Sequence, residues 1–172
     1  MARESKTGTK AVYPSQYETR VLLKDGSSIL LRPIREDDAE RWLAFVGRLS
    51  PHTKYLRFHH MPKEMGLDDA VRFCTVDYDN TFALVAEVLS EPNREIVAMG
   101  RYYRLPKKHL AEVAFAVEDA YQDRGIGTSL IQYLANAARE NGITSFEADV
   151  IAENAQMMDV FRDYGPHISS EL

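Results

Sequence analysis

The sequence is short of several things, and each shortage closes off a class of protein. It holds one cysteine, Cys74, in 172 residues, so an internal disulfide and a cysteine-rich zinc site are both excluded. No early apolar run resembles a secretory signal, and no stretch is long and apolar enough to read as a membrane span. Positive charge is scarce too. Against 21 Lys and Arg stand 26 Asp and Glu, and the formal net charge of -5 lacks the electrostatic footprint of a nucleic-acid-binding domain. His59 and His60 are adjacent but have no suitably spaced third ligand, so no metal is expected. Cys74 lies at an apolar helical position with no motif around it, where burial rather than nucleophilic chemistry is expected. The expected setting is a reducing cytoplasm, with neither nucleic acid nor membrane as partner.

What remains is 45% hydrophobic and 27% charged, a composition suited to one globular domain with an adequate core. Residues 1–16 are polar, without apolar period, and read as a loose leader docking at "VYP"; the domain is expected over 17–172. "TRVLLKDGSSILLRPI" is two apolar runs joined through Asp25 and Gly26, the pattern of a tight hairpin. Acids then precede Trp42, Leu43, Phe45, Val46 and Leu49 at helical spacing, which predicts a helix over 37–49. Ser50 and Pro51 look like the N-cap and first residue of a second short helix. "LDDAVRFCTVD" reads likewise, with Leu67, Val71 and Phe73 or Cys74 inward. The period then becomes two. "TFALVAEVLS", "EIVAMGRYYRL" and "HLAEVAFAV" form three strands of an antiparallel meander, with "YYRLPKK" running into a basic loop. A long helix follows, with Leu130, Ile131, Leu134 and Ala138 on one stripe and Gly142 as its stop. "SFEADVI" is a strand, and "NAQMMDVFRDYG" a last helix whose Met157, Val160, Phe161 and Tyr164 share a face. The sum is an α+β protein with a mixed, mostly antiparallel sheet flanked by helices.

"YQDRGIGTSL", Tyr121 to Leu130, places two glycines between a strand and a helix. A Walker loop is excluded because Thr128 and Ser129, not Lys and Ser or Thr, follow Gly127. A dinucleotide fingerprint is weakened because Leu130 stands where a third glycine belongs and the preceding strand is part of a meander. A helix N-terminus stripped of side-chain bulk suits an anion such as pyrophosphate, and Gly125 and Gly127 would permit close approach. Taken alone, the pair reads equally as a structural turn.

The surrounding residues add more. In "VEDAYQDRGIGTSLI", Gln122, Gly125 and Gly127 match the pattern of Gln or Arg, two residues, Gly, one residue, then Gly or Ala. The segment resembles the acyl-CoA-binding motif of the GNAT acetyltransferases. "HLAEVAFAV" is similar to that family's fourth strand, and "ADVIAENAQMMDVFRDYG" to its fifth strand and following helix, with Asn154 at a commonly found asparagine. "VLLKDGSSILLRPIREDDAERW" and "LSPHTKYLRF" resemble the GNAT domain of bacterial Pat-type protein lysine acetyltransferases, and the likeness runs from Tyr13 to Gly165. It implies the GNAT fold and acetyl-CoA as cosubstrate. The backbone N–H groups of Arg124, Gly125, Ile126, Gly127 and Thr128 would hold the CoA pyrophosphate, the main chain of Val117 would pair with the pantetheine arm, and the Arg124 side chain could help neutralise a phosphate.

Acetyl transfer to an amine needs the amine unprotonated. For a lysine of reference pKa near 10.4 this costs about 4 to 5 kcal/mol at pH 7, which a nearby base offsets. Glu112 shares a strand face with the small Ala114 and Ala116, while Val113, Phe115 and Val117 take the other. By spacing alone it reads as a solvent-facing strand glutamate. The resemblance makes it the catalytic base, because "AEV" matches the position at which Pat-type enzymes carry theirs. Glu147 and Asp149 are reserves. Many family members have a tyrosine acid seven residues after the asparagine, but that position here is Phe161. Tyr164 is a poor geometric substitute, and Tyr102, Tyr103 and Tyr121 are more naturally packing residues. Thiolate release without a dedicated acid is expected, since a thiol pKa near 8.5 makes a fair leaving group. "GPHISSEL" carries Pro166 where the family has Phe, so the last strands are expected to be missing, with a homodimer as one way of completing the sheet. Three functions stand on this reading: acetylation of a protein lysine, acetylation of a small amine, and a catalytically weak acyl-CoA-binding or sensing module.

Overall fold

The computed structural model describes residues 10–58, 64–90, 92, 94–150 and 153–164. The expectations placed on His59, His60 and the "GPHISSEL" end lie outside them. Among the described residues six strands form one sheet in sequence order: β1 (Thr19–Leu22), β2 (Ser28–Pro33), β3 (Thr81–Val88), β4 (Ile96–Arg104), β5 (Leu110–Val117) and β6 (Ser145–Glu147). The first four junctions are antiparallel and only β5 with β6 is parallel. The helices are α1 (Ala39–Arg48), α2 (Pro51–Phe58), α3 (Leu67–Cys74), α4 (Ile126–Glu140) and α5 (Ala155–Tyr164). The sheet is thus mixed and mostly antiparallel, as the sequence pattern predicts.

The β1–β2 turn closes with Leu23 N–H on the Ser27 carbonyl at 2.7 Å and Gly26 N–H on the Leu23 carbonyl at 3.0 Å. Gly26 has a φ of 85°, so this is a three-residue loop ending in a left-handed glycine. Helix α4 ends in a Schellman arrangement: Gly142, at φ 79°, donates to the Arg139 carbonyl at 3.0 Å, and Ile143 donates to that of Ala138 at 2.9 Å. At the start of α2 the Ser50 hydroxyl accepts from the Thr53 N–H at 3.1 Å, the cap that its sequence announces.

Period-two alternation divides the core in two. Phe82, Leu84, Val113 and Phe115 join Leu130, Ile131 and Leu134 of α4 in one cluster, with Met157, Val160, Phe161 and Tyr164 of α5 packed against it. Ala83, Val85, Met99 and Ala116 turn to the opposite face and meet Trp42, Phe45 and Val46 of α1, with Ala70 and Cys74 of α3. Gly100 on β4 stands opposite Phe115 on β5, and a Cβ there would lie 2.6 Å from the Phe115 ring. Cys74 is buried, and burial pushes its thiol up to about 12. A buried guanidinium, Arg32, ties β2 to β3 and to the turn before α1. Its Nε donates to Glu87 at 2.8 Å and its two terminal nitrogens to Asp38, each at 2.8 Å.

Two expectations are corrected. Leu67 is 46% exposed rather than inward, because it is the first residue of α3 and the buried stripe begins a turn later at Ala70 and Cys74. The strand predicted over "SFEADVI" stops at Glu147: the ladder with β5 covers only three residues of it, and residues 148–150 have left the sheet.

Candidate active site

The early end of β6 shapes the site. Its pairing with β5 runs Leu110 with Ser145, Ala111 with Phe146 and Glu112 with Glu147, and there it stops. Beyond Glu112 the edge of β5 is uncovered by β6, and a cleft of about 290 Å³ opens alongside it. Phe115, Ala116 and Val117 form one wall, the start of α4 the floor, α5 from Asn154 to Asp163 the far side, and His52, Leu56 and Arg57 of α2 the near side. A wider hollow of about 990 Å³, between the N-terminal segment and α3 around Tyr13, Arg35 and Asp77, contains none of the motif residues.

At the cleft floor α4 begins with Gly125 as N-cap, in a left-handed conformation at φ 89° and with no side chain capping the helix. The first intrahelical bond is Ser129 N–H to the Gly125 carbonyl at 3.1 Å, which leaves the N–H groups of Ile126, Gly127 and Thr128 without intrahelical acceptors. They face a cleft rather than a cap, the arrangement that favours an anion. The two glycines differ in purpose. Gly125 supplies a positive φ that a side chain would strain, and a Cβ there would also meet the Lys24 chain at 3.4 Å. Gly127 is bare toward Val160 of α5, whose Cγ2 would lie 3.4 Å from an added Cβ. Its smallness therefore serves helix packing at least as directly as ligand approach.

The other motif residues are accounted for one by one. Gln122 Nε2 donates to the Val117 carbonyl at 3.1 Å and so closes the loop onto the end of β5. Asn154 Oδ1 accepts from Met157 N–H at 3.2 Å, which makes it a cap for α5 as well as a cleft residue. Arg124 does not turn to the cleft. One terminal nitrogen donates to Asp25 at 3.0 Å, the other to the Ala120 carbonyl at 3.1 Å, and its guanidinium lies over the Tyr121 ring. The expected phosphate partner is thus occupied by the β1–β2 turn and by its own loop. Lys24 instead lines the cleft, with its chain running past Gly125. Nothing local marks a hairpin-turn lysine for this place, since a contact across a hundred residues brings it there. Asp119 was equally unmarked. It accepts from the Ser50 N–H at 3.0 Å and from the Ser50 and Thr53 hydroxyls at 2.8 and 2.9 Å, pinning the start of α2 to the motif loop. Burial acts to raise its pKa, but these hydrogen bonds outweigh it and leave the carboxyl below its ordinary value.

Glu112 is exposed, with register partners Tyr103 on β4 and Glu147 on β6. Register partners share a face, so Tyr103, Glu112 and Glu147 form a row across three strands. Of the reserve residues, the fold brings Glu147 beside Glu112, while Asp149 lies past the end of β6. The tyrosines sort as follows. Tyr102 is buried, donates to the Asp79 carbonyl at 3.0 Å, and is pushed up by burial to about 12. Tyr164 accepts from Arg139 at 2.9 Å, away from the cleft. Phe161 packs edge-on against Phe115, with ring centres 5.9 Å apart.

A helix entrance without a cap, set where a mixed sheet parts between its parallel strands, is the architecture of an acyl-CoA-dependent transferase. The comparisons with known proteins give the same answer. The model of the acetyltransferase (GNAT) family matches residues 50–165. An acetyltransferase of Pseudomonas aeruginosa is 33% identical over 138 residues, which cover 80% of this chain and 74% of that one. Acetyltransferase Pat of Mycolicibacterium smegmatis is 33% identical over 147 residues, 84% of this chain but 43% of Pat. Among solved structures, the GNAT domain of S. lividans PAT superposes with a TM-score of 0.81 at 36% identity, covering 90% of each chain. The chain belongs to the GNAT acetyltransferase family, which uses acetyl-CoA. Among the described residues no helix is long and apolar enough to cross a membrane.

Proposed function

We propose that the protein transfers an acetyl group from acetyl-CoA to a primary amine, with a protein lysine as acceptor and Glu112 as general base, in the cytoplasm. The observation that carries this reading is the position of Glu112. It is the last β5 residue paired to β6, it is exposed, and from it the uncovered strand edge leads straight to the α4 entrance. Val117, which lines the cleft at the α4 entrance, stands five positions along β5 from Glu112, about 16 Å of strand, so in this reading the cosubstrate arm spans that length of strand edge to bring its thioester to the carboxylate.

In this reading the N–H groups from Arg124 to Thr128 hold the cosubstrate diphosphate, Lys24 supplies the positive charge that Arg124 does not, and the main chain around Val117 aligns the arm. The carboxylate of Glu112 accepts a proton from the acceptor ammonium, directly or through one water. The freed nitrogen forms its bond to the thioester carbonyl carbon and gives its surplus proton to water, the carbon–sulfur bond breaks, and the thiolate takes its proton from solvent. No tyrosine is placed to give that proton at Phe161, and a thiolate leaves without one. The protein-lysine acceptor is supported by the likeness to the Pat relatives; acetylation of a small amine by the same groups is the competing outcome.

The test is Glu112→Gln, with Glu147→Gln beside it. If Glu112 is the base, its amide loses about 10²- to 10⁴-fold in kcat with acetyl-CoA affinity unchanged in calorimetry, and Glu147→Gln loses far less. Equal activity of Glu112→Gln and the wild type would remove the assignment. Mass spectrometry of proteins and amines incubated with acetyl-CoA separates lysine from small-molecule acceptors. Binding of CoA with no transfer to any amine would leave a sensing module.

A further inference from the structure

Two arginines near β5, the strand that carries Glu112, take no part in the chemistry above. Arg101 on β4 is two residues from Tyr103, on the same strand face, and only 2% of it is exposed. Arg57, at the end of α2, borders the cleft where α2 touches β5. Both guanidiniums have an Nε that is buried and has no hydrogen-bond partner among the described residues. Arg101 makes one hydrogen bond, from a terminal nitrogen to the Phe73 carbonyl at 3.1 Å, and its charge lies between the Phe73 and Tyr103 rings at 3.8 and 4.6 Å. Arg57 lies against the Phe58 ring at 4.8 Å.

The protein itself shows how a buried arginine looks when its role is to hold the fold. Arg32 is as buried as Arg101, yet every one of its guanidinium nitrogens is matched by Asp38 or Glu87. Arg57 and Arg101 instead approach the same strand, Arg57 from α2 against β5 and Arg101 on β4 opposite Ala114 of β5, and no carboxylate among the described residues pairs with either. Burial, with the repulsion of Arg101 after it, pulls the Arg57 guanidinium down to about 10, with Tyr103 and Glu112 close enough to act against this. Two desolvated cations without a counter-charge are an expensive arrangement unless an anion joins them. A carboxylate is the planar group that a guanidinium fork receives with two parallel bonds.

We infer that Arg57 and Arg101 form a carboxylate-binding pocket of the acceptor groove, so that the amine presented to Glu112 belongs to a molecule carrying a carboxylate nearby. This rests on the reading of Glu112 as the base only for the direction the amine faces; the anion pocket stands on the two guanidiniums. The carboxylate has two possible sources, a free amino acid or an acidic residue next to a lysine in a protein, and the chemistry of capture is the same.

The experiment uses the full chain saturated with CoA and two probes, 6-aminohexanoate and its carboxamide, which differ only in the anion. The Nε–H proton signals of Arg57 and Arg101 are followed by nuclear magnetic resonance and assigned with Arg57→Lys and Arg101→Lys. The expected result is that the carboxylate shifts both signals in a saturable way and the amide shifts neither. Signals unmoved by both, or moved equally by both, overturn the inference whether or not the protein transfers acetyl. In the transfer assay with acetyl-CoA, kcat/KM for the carboxylate should exceed that for the amide by about tenfold or more, and Arg57→Gln should erase the difference. Loss of transfer in Glu112→Gln with the resonance shifts kept would separate the base from the pocket. Two further arms distinguish the sources: free lysine against a lysine peptide with flanking glutamates, each compared with its neutral amide form. A preference for the acid form in one arm names the source; no preference in either arm counts against the pocket.

Discussion

The side-chain amide of Gln122 donates to the main-chain carbonyl of Val117 at 3.1 Å. One motif residue thereby fixes the end of the strand that walls the cleft, and the loop that follows takes its path from that bond. Gln122→Ala should raise the KM for acetyl-CoA by about tenfold with a smaller change in kcat, because the lost bond orders the binding wall rather than the reacting atoms. Steady-state kinetics with calorimetry of CoA binding checks this split; a fall confined to kcat would place Gln122 in the chemistry instead.

Gly125 and Gly127 should respond differently to alanine. Gly125→Ala forces a side chain into a φ of 89° and against Lys24, and should cost about 1 kcal/mol or more together with weaker CoA binding. Gly127→Ala meets only Val160 at 3.4 Å and keeps an ordinary backbone, so a smaller loss is expected. Thermal melts of the two variants, with and without CoA, supply the comparison.

Gly100 is a packing position and not a turn. An added Cβ would lie 2.6 Å from a Phe115 ring that is itself held by Phe161 and α4. Gly100→Ala should destabilise the fold by about 1 to 3 kcal/mol, read from denaturant midpoints.

Asp38 gives the stability a defined response to acid. Burial acts to raise its pKa, but the hydrogen bonds and charge of Arg32 outweigh this and hold it below the ordinary 3.8. A carboxyl lowered by folding contributes stability above its unfolded value and loses that contribution as pH falls through its folded value. Wild-type stability should therefore decline below about pH 4, while Asp38→Asn, already weakened at pH 7, should show a flatter acid limb. Urea melts from pH 7 down to pH 3 test the sign.

Local signals account for the features that the sequence made legible. Trp42, Phe45 and Val46 at helical spacing, the Ser50 cap and the Gly142 stop each act within one turn of chain, and each stands where it was expected. Period two likewise puts Glu112 on the face opposite Phe115. Residues decided by distant partners were not legible. Arg124 looked available for phosphate until Asp25, 99 positions away, took it, and the same fold brought Lys24 to Gly125. Arg57 could not be placed beside the cleft by any local pattern, because α2 and β5 come from distant parts of the chain and touch only in three dimensions.

The short reach of β6 has a practical consequence for how the cleft can be altered. Along Phe115 to Val117 the edge left bare by β6 is main chain, with the Val117 carbonyl already taken by Gln122, and every amino acid except proline presents the same peptide groups there. An extended guest lying there would be gripped by features that ordinary substitution leaves intact. The strand edge is therefore the tolerant part of the cleft, and changes of appetite are left to the side chains of α2 and α5 that border it.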